Sequence, residues 1–264
     1  MIQDFVFQNN MARIISLVNQ KGGVGKTTTA VNLGAYLAAM GRFVLLVDID
    51  PQGNASSGVG IDFRKVQKGV YEAIIKQASF REVTHHTALE GYKVAPSTIS
   101  LAGANIELVT VENREHKLRE SLLEVKNDYD YILIDCPPSL GLLTINGLVA
   151  ADEILVPVQS EYYALEGLGQ LLHTVNLIKE NIKPELKMLG AVLTMYDRRH
   201  QLSNEVMYEL YKFFPSKIFR SVIPRNVKLA EAPSFGEPII KYDPKSKGAK
   251  AYERLAREVI ETEG

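Results

Sequence analysis

Tryptophan is absent from this 264-residue chain, and cysteine occurs once, at Cys136. A single thiol excludes an intrachain disulfide and a cysteine-ligated metal centre built within one chain, and it fits a reducing compartment. Long apolar runs are missing too. No stretch reaches the roughly 18–20 continuous apolar residues of a membrane-spanning helix, so the chain reads as soluble. The opening MIQDFVFQNN has no basic region ahead of an apolar core and is a poor secretory signal. Charge of either sign is not in excess: the formal net is -1. Attraction to a polyanion must therefore come from local clusters. Internal repeats and low-complexity linkers are lacking as well, which excludes solenoids and tethered arrays.

What is present is ordinary for a folded chain, with 46% apolar and 23% charged residues. The length suits one α/β domain. Short, β-branched, nearly unalternating runs predict strands at Ile14–Val18, Phe43–Val47, Ile132–Ile134, Ile154–Val158 and Leu189–Leu193. A further strand is expected at Ile218–Val222. Helical periodicity predicts helices over Thr27–Met40, Glu112–Val125, Leu165–Ile178, Ser203–Phe213 and Lys247–Ile260, with Gly41 closing the first. This alternation implies a mostly parallel sheet with helices on both faces. Residues 13–264 are expected to form the domain and 1–12 an N-terminal tail. Because Met11 is an alternative start, residues 1–10 are either a short tail or lie ahead of the true initiator.

The segment Asn19-Gln20-Lys21-Gly22-Gly23-Val24-Gly25-Lys26-Thr27-Thr28-Thr29 follows a strand and opens a helix. Glycines let the backbone curl so that several N–H groups converge on an anion, and the helix N-terminus adds its positive end. Lys26 is placed to bridge terminal phosphates, the Thr27 hydroxyl to ligate Mg²⁺, and Thr28 to hold the α-phosphate. The pattern departs from the usual phosphate loop: Gln20 stands where its first glycine would be, and a second lysine, Lys21, enters the loop. Two strands then end in acids, at Asp48-Ile49-Asp50-Pro51-Gln52-Gly53-Asn54 and at Asp135-Cys136-Pro137-Pro138-Ser139. Carboxylates at such strand ends sit where ligands bind in an open α/β sheet. Asp135 is the residue expected to hold Mg²⁺. Cys136 reads as a small filler.

With these three motifs in order, the chain resembles the deviant Walker A ATPases of the ParA/Soj type, whose loop reads K-G-G-x-G-K-[ST]. The resemblance runs from Arg13 to Ile260 and takes in Val156-Pro157-Val158-Gln159, Ile223-Pro224-Arg225-Asn226, Glu231-Ala232-Pro233-Ser234 and Tyr242-Asp243-Pro244. It implies a single-domain P-loop NTPase fold and slow, partner-stimulated hydrolysis of ATP with Mg²⁺. It also implies a nucleotide-sandwich homodimer in which Lys21 reaches the partner's ATP and Gly22 lies at the seam. By the same resemblance Asp50 positions the attacking water, Asp48 orients the metal shell or the loop, and Pro224 and Asn226 contact adenine. A Pro-Arg-Asn run is equally a helix start with Asn226 as its cap.

Between residues 217 and 250 stand eight Lys or Arg against three acids, a local bias that suits phosphate-backbone contacts. Arg198 and Arg199 form a second basic cluster. The resemblance implies non-specific double-stranded DNA binding through Arg199 and Lys228, with Arg198, Lys245 and Lys247 nearby. It further implies a ParB-type partner and a cytoplasmic, nucleoid-associated site of action. The alternative is a MinD-like membrane-cycling ATPase. The acidic end from Glu258 to Gly264 disfavours lipid, although Phe5 and Phe7 leave an opening for an N-terminal membrane contact.

Overall fold

Fully buried apolar residues alternate between two faces of the strands, and this dictates a three-layer architecture. Ile15, Leu17, Leu46, Leu133 and Leu155 belong to one core. Their neighbours Ile14, Leu45, Val47, Ile132 and Ile134 belong to the other. A strand covered on both faces gains about 25 cal/mol per Å² of apolar surface on each, so it takes hydrophobic residues at every position.

The computed structural model describes residues 11–161, 166–197, 199, 201–215 and 217–263. Most of the expected tail, with Phe5 and Phe7, lies outside the described residues, as do Arg198 and His200. In chain order the elements are β1 (Arg13–Leu17), α1 (Lys26–Ala39), β2 (Val44–Asp48), α2 (Asn54–Gly58), α3 (Val70–Ile74), β3 (His85–His86) and β4 (Tyr92–Ala95). Next come α4 (Ala104–Glu107), α5 (Lys117–Leu122), β5 (Tyr131–Asp135), α6 (Leu142–Ala150), β6 (Glu153–Gln159) and α7 (Glu166–Asn181). The chain finishes with β7 (Lys187–Thr194), α8 (Gln201–Phe213), α9 (Val227–Glu231), α10 (Ile239–Tyr242) and α11 (Lys247–Glu261).

The sheet order is β3-β4-β2-β5-β1-β6-β7. Every pairing is parallel except β3 with β4. β1 lies between β5 and β6, and α1 carries the chain from it to β2 on the far side of β5. The C-terminal ends of β1, β2 and β5 thus share one edge, where ligands bind in open α/β sheets. α1 and α11 cover one face, with Tyr252, Leu255, Ala256 and Val259 of α11 buried there.

The five expected strand cores all appear, β1 and β2 shifted by one residue and β5, β6 and β7 lengthened by two or three. Two expectations need correction. Glu112–Val125 is helical only over Lys117–Leu122, preceded by a 3₁₀ turn at Arg114–His116. Asn113 adopts φ +53°, a left-handed conformation that interrupts a right-handed helix. Ile218–Val222 is not a strand: among the described residues it meets β7 in the isolated bridge of Ala191 with Ile218, and a second bridge, Tyr196 with Pro224, lies beyond both segments. Phe219 N–H reaches Ala191 O, yet the next bond comes from Ile223 N–H to Leu193 O. Four residues on one side match two on the other, so the ladder cannot stay in register. β4 escaped notice because it is short and interrupted by Lys93.

Gly147 lets α6 approach the sheet closely. A Cβ there would lie 2.8 Å from Cys136 Sγ and 2.9 Å from Ile49 Cδ1, both fully buried. The Ser16 hydroxyl donates to Gly147 O at 2.7 Å in the same contact. Cys136 is therefore a packing residue, and burial pushes its thiol pKa up. Gly147→Ala is expected to cost about 1–3 kcal/mol by overpacking. It should appear in urea unfolding as a lower midpoint with an unchanged m-value.

Candidate active site

The first turn of α1 has no side-chain cap and no acidic residue, so its amide N–H groups are left for an external acceptor. The loop before it owes its shape to glycine: Gly23 and Gly25 adopt φ +74° and +86°. Thr194, at the end of β7, supports this loop by donating its hydroxyl to Val24 O at 2.7 Å. Asn19 braces the opposite side, accepting the Lys21 N–H at 3.0 Å and donating to Pro157 O at 2.8 Å. The motif does not mark Thr194 or Asn19 as functional, since Thr194 and the Asn19 amide each bond backbone far away in sequence.

Lys26 is buried at the heart of the loop, where Nζ donates to Lys21 O at 3.2 Å. Burial lowers its pKa, while the neighbouring Asp135 and Asp50 oppose that shift. The Thr27 hydroxyl donates to Asp135 Oδ2 at 2.7 Å. Asp135 Oδ1 is buried and has no hydrogen-bond partner. A hydroxyl oxygen beside an unpartnered carboxylate oxygen is a hard donor set that fits Mg²⁺. These residues were expected together, and the fold brings them together.

Asp48 pairs in register with Asp135 across β2 and β5, and both are fully buried. Its carboxylate accepts the Ser56 N–H at 2.8 Å, the Ser56 hydroxyl at 2.7 Å and the Asp50 N–H at 3.2 Å. Of the two roles considered for Asp48, these bonds serve the loop. Asp50 is nearly buried and accepts the Gln52 N–H at 3.0 Å. Lys21 is half-exposed, 3.8 Å from Glu161, and Glu161 also lies 3.7 Å from Arg225. Gly22 is exposed, with only Pro138 Cβ at 4.0 Å from the site of an added Cβ. Thr28 and Thr27 line a cavity of about 380 Å³ with Asn54, Ser57, Ala232 and Pro233.

Asn226 caps α9, its side-chain oxygen accepting the Lys228 N–H at 2.9 Å. That use leaves its amide group available for another contact. Pro224 lines a separate cleft of about 680 Å³ with Arg199, Arg225, Lys247, Lys250 and Arg254. Arg199 and Lys247 thus meet in one basic cleft, which Arg254 of α11 also lines. Asp197 chelates Arg199, accepting from Nη2 at 2.6 Å and from Nε at 3.0 Å. Lys228 and Lys245 are not among the lining residues. Lys228 pairs with Glu231 at 2.8 Å and lies 5.7 Å from the Tyr242 ring centroid.

An uncapped helix N-terminus behind a glycine loop, with lysine, threonine and a strand-end aspartate converging on it, defines a P-loop nucleotide-binding protein. A family profile described as an AAA domain matches residues 12–188. The chain is 55% identical over 249 residues to the sporulation initiation inhibitor protein Soj of Bacillus subtilis (strain 168), covering 94% of this chain and 98% of that protein. It is 52% identical over 250 residues to the chromosome partitioning protein ParA of Myxococcus xanthus (strain DK1622), covering 95% and 88%. Among solved structures, cobyrinic acid a,c-diamide synthase from Mycobacterium smegmatis, with bound ATP analog and magnesium, gives a TM-score of 0.85 at 38% identity over 94% of each chain. This chain belongs to the ParA/Soj family of chromosome-partitioning ATPases.

Burial pushes the Asp48 carboxyl up to about 6 against its hydrogen bonds from Ser56 and Asp50. Burial, and then the charge of Asp48, drives Asp135 well above the usual carboxylate range. A raised folded-state pKa means that the folded protein retains protons the unfolded chain has released. Stability of the metal-free protein therefore falls as pH rises from about 4 through 6. Between pH 5 and 7.5 the wild type is expected to lose about 1–3 kcal/mol more than Asp135→Asn does. Urea titrations at the two pH values check this, and equal losses would contradict it.

Proposed function

We propose that this chain is an ATP-driven partitioning switch: ATP binding closes a homodimer, the dimer holds DNA without sequence preference, and hydrolysis releases it. The observation that carries this reading is the Thr27–Asp135–Lys26 constellation, with Asp135 and Lys26 buried, and a second lysine, Lys21, at the exposed rim of the same loop.

In this mechanism the loop amides from Gly22 to Thr28 and the Lys26 ammonium grip the β- and γ-phosphates. Thr28 bonds the α-phosphate, while Pro224 and the Asn226 amide face adenine. Thr27 and Asp135 would hold Mg²⁺, and Asp48, bonded to Ser56 and Asp50, would order the loop beside it. The ion, when bound, neutralises phosphate charge and so assists in-line attack. Asp50 orients the attacking water. Lys21 leaves Glu161 to reach the partner's ATP, and Gly22 admits the close approach of the two chains. Hydrolysis is slow, a timer that a ParB-type protein accelerates. Arg199, Lys228, Lys245 and Lys247, with Arg198, contact DNA phosphates, so the protein works on the nucleoid in the cytoplasm.

The apolar stripe of α11 is packed against the domain and is not presented for an interfacial membrane contact.

Asp50→Ala is expected to sediment as a dimer with ATP and Mg²⁺ while hydrolysing no ATP above background. A monomer under those conditions would overturn the sandwich arrangement. The Arg199→Ala/Lys228→Ala double variant should weaken DNA binding in the ATP state and reduce the log–log salt slope by about two, one per lost phosphate contact. Filter binding with ADP, ATP and no nucleotide measures this. Equal affinity in all three states would remove the switch.

A further inference from the structure

The Ser56 side chain is completely buried, and its hydroxyl is used twice. It donates to Asp48 Oδ2 at 2.7 Å, and its oxygen accepts the Ser97 N–H at 3.1 Å. One hydroxyl therefore joins the end of β2, the first turn of α2 and the stretch after β4. That stretch is anchored in turn: Val70 N–H reaches Pro96 O at 2.9 Å, and the Thr98 hydroxyl reaches Glu72 at 3.4 Å. Glu72 also accepts the Gly69 N–H at 2.7 Å. Ser56 is the point at which this polar network meets the strand-end carboxylate.

The same carboxylate holds the Asp50 N–H through its other oxygen, Oδ1. Asp48 cannot turn about its side-chain bonds without giving up either α2 or Asp50. The turn between them places Gly53, at φ +62°, against the Phe63 ring, with no room for a Cβ. We infer that Ser56 is a positioning residue for ATP hydrolysis, acting through Asp48 to hold the turn that aims Asp50. The inference rests on the reading of Asp50 as the residue that orients the attacking water. Ser56 itself touches no phosphate in this role. Its loss should slow the chemical step and leave nucleotide binding to the phosphate loop intact.

The test measures steady-state ATP turnover, ATP affinity by calorimetry and the urea midpoint for the wild type, Ser56→Ala, Ser56→Cys, Ser56→Thr and Asp50→Ala. Ser56→Ala is expected to lower kcat by about 10–100-fold, the range for lost outer-shell partners, with KM and ATP affinity changed by less than about 2-fold. Ser56→Cys, close to serine in size but a weak donor, should behave like Ser56→Ala and carries the test if the alanine variant fails to fold. Ser56→Thr keeps the hydroxyl and should turn over near the wild-type rate. A Ser56→Ala kcat equal to wild type beside an inactive Asp50→Ala overturns the Ser56 inference alone. Parallel loss of kcat, ATP affinity and stability in both alanine and cysteine variants overturns it as well, since that is the behaviour of a purely structural serine. Full activity in Asp50→Ala overturns the reading of Asp50 and this inference with it.

Discussion

Two carboxylates face each other across neighbouring strands at the mouth of the site, and most of the surrounding structure compensates for them. Asp48 and Asp135 are paired in register and wholly buried. Charges in such a place carry a large desolvation penalty unless they are bonded or neutralised. Asp48 is satisfied from its own side of the sheet by Ser56 and Asp50. Asp135 is satisfied only in part, by Thr27 from the first turn of α1. That difference separates their work. The satisfied acid organises the protein, and the half-satisfied one presents an oxygen suited to a hard cation.

The positive side of the site is arranged with the same economy. Lys26 is buried and held across the loop by the Lys21 carbonyl, whereas the Lys21 ammonium stands at the rim beside Glu161. Glu161 also approaches Arg225, whose neighbours Arg199, Lys247, Lys250 and Arg254 line the basic cleft. The Glu161 carboxylate thus lies between the phosphate loop and the basic surface. Surface ion pairs of this length contribute little to stability, about 0–1 kcal/mol each. They are therefore easily exchanged for stronger ligands.

Resemblance at the level of motifs and identity across nearly whole chains agree here, and they agree for a physical reason. The phosphate loop, the acidic strand ends and the Pro-Arg-Asn turn are all backbone-shaping sequences whose geometry depends on residues close in the chain. The motif's glycines are expected to let the backbone curl, and the structure holds Gly23 and Gly25 at positive φ. The cobyrinic acid a,c-diamide synthase structure has the same fold at lower identity. The scaffold alone therefore does not select the work done on it.

The chain by itself determined the strand cores, the long helices and the local chemistry of the loop, because periodicity and glycine act over a few residues. It could not reveal that the expected strand at 218–222 slips by two residues against β7. Nor could it choose between metal and loop for Asp48, or between cap and base contact for Asn226. Ser56, Thr194, Asn19 and Arg254 gave no signal, since each matters through a partner that is remote or is backbone. The tertiary structure adds the slipped bridges beside β7, the loop-side bonds of Asp48 and the cap bond of Asn226. A hydrogen bond or a charge pair is fixed by distance in space, and burial by everything packed around it, and neither is written in the order of residues.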